Sequence, residues 1–92
     1  MRHQTLMWEV RCEAGQTAAM REWVRLEIVP GLWEDDQVAS YNVYSSEGQD
    51  GDRVVVVVDY IGKAASADLP AAPPPGLAAR PAHAWVFERL DM

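Results

Sequence analysis

The sequence predicts an α+β domain, a four-stranded antiparallel sheet carrying one main helix. Three observations lead there: strict alternation in three separate stretches, one stretch of helical spacing, and a run of five valines, Val54 to Val58. Side chains that alternate at a period of two point to opposite faces of a strand, whereas apolar residues recurring at i, i+3 and i+4 stripe one side of a helix.

The first strand is read over Leu6 to Glu13, LMWEVRCE, where Leu6, Trp8, Val10 and Cys12 share a core face and Met7, Glu9, Arg11 and Glu13 share the other. Ala14-Gly15 breaks the alternation. From Gln16-Thr17 onward Met20, Trp23, Val24, Glu27 and Ile28 recur at helical spacing, so an amphipathic helix is expected to run to about Val29 and stop before Pro30-Gly31. Leu32-Trp33 is expected to form a short turn in which Trp33 plugs a loop, followed by the acidic stretch Glu34-Asp35-Asp36.

The second strand is expected over Val38 to Ser45, VASYNVYS, rich in Tyr and Val. The polar, glycine-containing stretch Ser46 to Asp52 reads as a hairpin connection into the third strand. Val54 to Val58 is apolar on both faces, which predicts an inner strand covered on both sides. Between Gly62 and Pro81, five prolines deny the alanine-rich sequence more than a turn or two of helix. Alternation resumes over Ala82 to Leu90, with His83, Trp85, Phe87 and Arg89 on one face of a fourth strand.

Composition narrows the function classes. With 92 residues the chain is expected to form a single domain, 1–92, small enough that a partner subunit is expected to share in its core. A net charge of −6 with a single lysine, Lys63, argues against binding nucleic-acid phosphates, which takes clustered cations. The longest apolar run is far too short to cross a bilayer, and the first residues lack an apolar signal stretch. The lone Cys12 cannot support an internal disulfide, so a cytoplasmic protein is expected, away from membranes.

The order strand, helix, strand, strand, irregular tract, strand is the ferredoxin-like βαββ(α)β plan with its second helix replaced by a proline-rich strap. The segments WEVRCEAGQTAAMREWV, RVVVVVDY and HAWVFERL together resemble the dimeric α+β barrel superfamily, in particular small antibiotic biosynthesis monooxygenase-type domains. That resemblance implies a homodimer in which two sheets stack into a barrel, with a pocket between sheet and helices or within the barrel. It implies no catalytic set for this chain. Relatives commonly use a strand Asn, a Trp and a His or Arg, whereas the first strand here carries Glu9 and Arg11, and Asn42 falls on the second.

The candidate site residues follow from the strand faces. His83 suits a general acid or base near neutral pH, with Arg11 or Arg89 stabilising an anionic intermediate; the alternative is a hydrogen-bonded structural histidine or an exposed edge. Glu9 and Arg11 share a face and either orient a polar substrate or form a structural ion pair. Trp85 and Phe87 are candidate ligand-binding surfaces, and Arg89, Tyr41 and Asn42 add the few polar groups that orient an apolar ligand; tyrosines also suit half-buried strands whatever the function. No residues have metal-ligand spacing, no phosphate loop or nucleophile elbow is present, and no cofactor is called for. The leading reading is a homodimer that binds an apolar or aromatic small molecule. A cofactor-independent monooxygenase or isomerase-like enzyme and a structural dimerisation module are the alternatives.

Overall fold

The computed structural model describes residues 3–49, 51–64, 68–69 and 72–90. Its elements in order are β1 (Gln4–Arg11), α1 (Thr17–Glu27), α2 (Val29–Glu34), β2 (Val38–Ser46), β3 (Arg53–Tyr60) and β4 (His83–Glu88). The strands form one sheet in the order β2-β3-β1-β4, every neighbouring pair antiparallel. This is the ferredoxin-like arrangement expected from the element order. Residues at the chain start, Asp50 in the hairpin connection and the Pro70 part of the strap lie outside the described residues.

The alternation read in β1 and β3 decides which face is covered. Leu6, Trp8 and Val10 from β1 and Val54, Val56, Val58 and Tyr60 from β3 are buried together with Met20, Val24 and Ile28 of the helical segment. Each such large side chain contributes on the order of 1.5–3 kcal/mol by leaving water. Helix α1 lies over β2 and β3, and α2 lies against β2. The β1 and β4 side of the same face is left to the strap, which sends Leu69 into the core and packs Leu77, Ala78 and Ala82 against it.

Pro30 does not end the helical segment as expected. Helix α1 stops at Glu27, and Ile28 keeps right-handed geometry while its N–H donates to the Val24 carbonyl at 2.9 Å. Pro30 then sits in the first turn of α2, where its missing N–H has no helical partner to lose. Trp33 is likewise no plug. It is 75% exposed, and its indole N–H donates to the Tyr41 hydroxyl at 2.9 Å.

The strap runs beside the end of β1. The Glu13 N–H donates to the Leu77 carbonyl at 2.8 Å and the Ala79 N–H to the Arg11 carbonyl at 2.9 Å, framing a bridge between Cys12 and Ala78. Pro74-Pro75-Gly76-Leu77 turns the strap back, with the Leu77 N–H donating to the Pro74 carbonyl at 3.3 Å. Gly76 has φ +95°, the conformation a type II turn requires after a proline. A strap of this kind is thinner than a helix, which with its side chains is about 10–12 Å across. The space beneath it is therefore not filled.

Candidate functional site

The open face of the sheet is set by register. Its rows run His83–Glu9–Val55–Tyr44, then Trp85–Met7–Val57–Asn42, then Phe87–Thr5–Asp59–Ser40 across β4, β1, β3 and β2. Arg11 and Arg53 stand opposite each other beyond the first row. The centre of this face is apolar and its two ends are charged. Trp85 is 46% exposed and Phe87 50% exposed, while Val55 and Val57 are only half-buried. Among the described residues nothing supplies the second cover expected for the valine strand.

Six of the sequence candidates meet on this face: His83, Trp85 and Phe87 from β4, Glu9 and Arg11 from β1, and Asn42 from β2. Arg89 lies one residue past β4, its N–H donating to the His3 carbonyl at 2.8 Å. Tyr41 is separated from the rest. It pairs with Val58 on the helix-covered side, next to Trp33. The physical reason is the strand period, which sends Tyr41 and Asn42 to opposite faces.

Electrostatics on the open face are local. Glu9 Oε2 and Arg53 Nη1 lie 3.3 Å apart, so the ion partner of Glu9 comes from β3 and not from Arg11 alongside it. At the other end the Thr5 hydroxyl donates to Asp59 Oδ1 at 2.6 Å and the Ser40 hydroxyl to Oδ2 at 3.2 Å. His83 stacks on Trp85, ring centroids 6.1 Å apart and planes 27° apart, and makes no hydrogen bond with another described side chain.

The other face holds a cleft that sequence reasoning missed. Its volume is about 530 Å³, its floor includes Trp8, its walls include Leu69, Pro73, Pro75 and Pro81, and Asp68 and Arg80 are its charged residues. The sequence signal for it was the Pro-Pro-Gly turn, which shapes a strap that stands off the sheet. A smaller cleft of about 360 Å³ lies between α2 and β2, lined in part by Trp33, Asp35, Val38 and Tyr41. Among the described residues no cluster of His, Cys, Asp and Glu is placed to hold a metal ion, and no helix is long and apolar enough to cross a membrane.

Comparison with known proteins supports the fold. The chain is similar to the solved structure of Rv0793 from Mycobacterium tuberculosis, with a TM-score of 0.68 and 21% identity over 98% of this chain and 97% of that one. It is also similar to NE2512 from Nitrosomonas europaea, a protein of unknown function, with a TM-score of 0.63 and 12% identity over 100% of this chain and 93% of that one. At such identities the likeness is one of fold. No family model matches the chain. No curated protein matches it either.

Burial governs the titration of two side chains near these surfaces. The Cys12 thiol is pushed up by desolvation, with the Asp52 charge adding to the shift and the Thr17 side chain opposing it. The Tyr60 phenol is pushed up by desolvation and by the nearby Asp35 carboxylate.

Proposed function

We propose that the protein is a homodimer that binds an apolar or aromatic small molecule, associating through the open face and holding the ligand in the cleft beneath the strap. The cleft carries this reading. Its volume of about 530 Å³ lies within the range of roughly 300–1,000 Å³ typical of small-molecule sites, and its proline and leucine walls are of the apolar kind such sites use. The open face supports the dimer, since Met7, Val55, Val57, Trp85 and Phe87 form an apolar centre flanked by Arg11 and Arg53 at one end and Asp59 at the other. An apolar core inside a polar rim is the anatomy of a protein interface. The resemblance to dimeric α+β barrel domains points the same way.

The test uses 2-naphthylmethanol as a neutral aromatic probe and follows the indole N–H resonance of Trp8. Saturable movement of that signal is expected, lost in Ala78→Trp, which fills the cleft, and retained in Ala18→Trp on the exposed surface of α1. A Trp8 signal that never moves sinks the ligand reading. An accessory dimerisation module would then remain, its dimer intact without a ligand.

The enzyme reading, a cofactor-independent monooxygenase or isomerase-like activity, draws on one observation. His83 lies against Trp85 and directly across from Glu9, on the face the dimer would enclose. There His83 would act as acid or base, with Arg11 as the cation for an anionic intermediate. Turnover that is unchanged in His83→Ala would remove His83 from any such reaction.

A further inference from the structure

The donors that line the strap cleft carry more than the presence of an apolar site. Trp8 is 1% exposed, and its indole N–H makes no hydrogen bond with any other described residue. An indole N–H is a donor only, and this one is not among the side-chain donors sealed from solvent without a partner. Arg80 is exposed at the same cleft and makes no ion pair or hydrogen bond with another described residue. A guanidinium is likewise a donor only and stays charged at every physiological pH. The cleft's carboxylate, Asp68, is already engaged, with the Leu69 N–H donating to Oδ1 at 2.7 Å.

A ligand that satisfies both open donors must present acceptors, and the cation favours a negative one. We infer that the strap cleft selects an apolar or aromatic carboxylic acid in its ionised form, its carboxylate at Arg80 and its apolar body against Leu69, Pro73 and Pro81. This deepens the small-molecule reading and rests on it. The apolar walls supply affinity without regard to charge, and Arg80 supplies the discrimination. Asp68 sets the orientation, because a carboxylate placed beside it would meet a like charge.

Two isosteric probes separate the two claims: 2-naphthoate and 2-naphthylmethanol, titrated calorimetrically and by the Trp8 indole N–H resonance. Naphthoate is expected to bind about tenfold more tightly, the ratio that one charge-assisted hydrogen bond typically supplies. Arg80→Gln is expected to erase that advantage and leave the affinity for naphthylmethanol unchanged. Arg80 is exposed, so the variant is expected to fold, and an unchanged thermal midpoint checks that it does. Equal binding of the two probes, or a naphthoate affinity untouched by Arg80→Gln, overturns the acid selectivity while the small-molecule reading stands. If neither probe moves the Trp8 resonance, both fall.

Discussion

Glu9 and Arg53 meet across β1 and β3 at 3.3 Å, with 25% and 28% of the two side chains exposed. The pair ties β1 to β3 at the charged end of the open face. Partly exposed pairs of this kind are worth about 0.2–1 kcal/mol. Glu9→Gln is therefore expected to lower monomer stability by less than about 1 kcal/mol in urea unfolding, and by less still at high salt. If the chain self-associates through this face as proposed, a larger effect is expected on dilution of that dimer, since the variant removes a hydrogen-bonded carboxylate from the enclosed surface.

Val57 stands at the centre of the open face between Met7 and Asn42. Val57→Asp is expected to convert the proposed dimer to monomers in sedimentation velocity, because the new carboxylate would be desolvated against apolar groups. Leu26→Asp, on the exposed side of α1, is expected to leave the sedimentation coefficient unchanged. Equal behaviour of the two variants would remove the open face from self-association.

Alkaline pH is expected to weaken the fold. Burial raises the pKa of both Cys12 and Tyr60, so the folded chain holds these protons more tightly than the unfolded chain. Their contribution is complete below the unfolded groups' pKa values and is lost as pH rises through the folded ones. Urea midpoints are expected to fall from neutral pH into the thiol and phenol range, with a shallower slope in Cys12→Ala combined with Tyr60→Phe. Buried at 6% exposure, Cys12 is also expected to react with iodoacetamide far more slowly in the native chain than in urea.

Gly76 turns the strap at φ +95° in open space, so a methyl group would clash with nothing and only the backbone would object. Gly76→Ala is expected to cost about 1 kcal/mol, the usual penalty for an alanine in left-handed geometry. The measurable consequence is local: faster amide exchange at Leu77, whose N–H closes the turn on Pro74, and at Ala79, whose N–H ties the strap to Arg11.

The element order and the alternation of β1 and β4 were legible because one physical rule governs them, the period of two that separates the faces of a strand. Tyr41 was not, since VASYNVYS carries a tyrosine and two valines on its helix side and a tyrosine on the other, so the aromatic pattern alone does not say which is buried. Pro30 misled because proline both ends helices and begins them, and only the right-handed Ile28 distinguishes the two. The Pro-Pro-Gly turn marked the strap, but the size of the cleft arises from what is missing beneath the prolines, a property of the space between elements. Trp8 was assigned correctly to the core, yet its open donor is apparent only once its neighbours are known.

The strap is fastened by main-chain groups of Arg11, Glu13, Leu77 and Ala79, which almost any amino acid can supply, and among its described residues Leu69 is the buried anchor. Leu77, Ala78 and Ala82 also pack against the core, whereas Pro73, Pro75, Arg80 and Pro81 line the cleft outside it. Changes at these four positions would reshape the cleft at little cost to folding, whereas changes at Trp8, Leu69, Ala78 or Ala82 would touch cleft and core together.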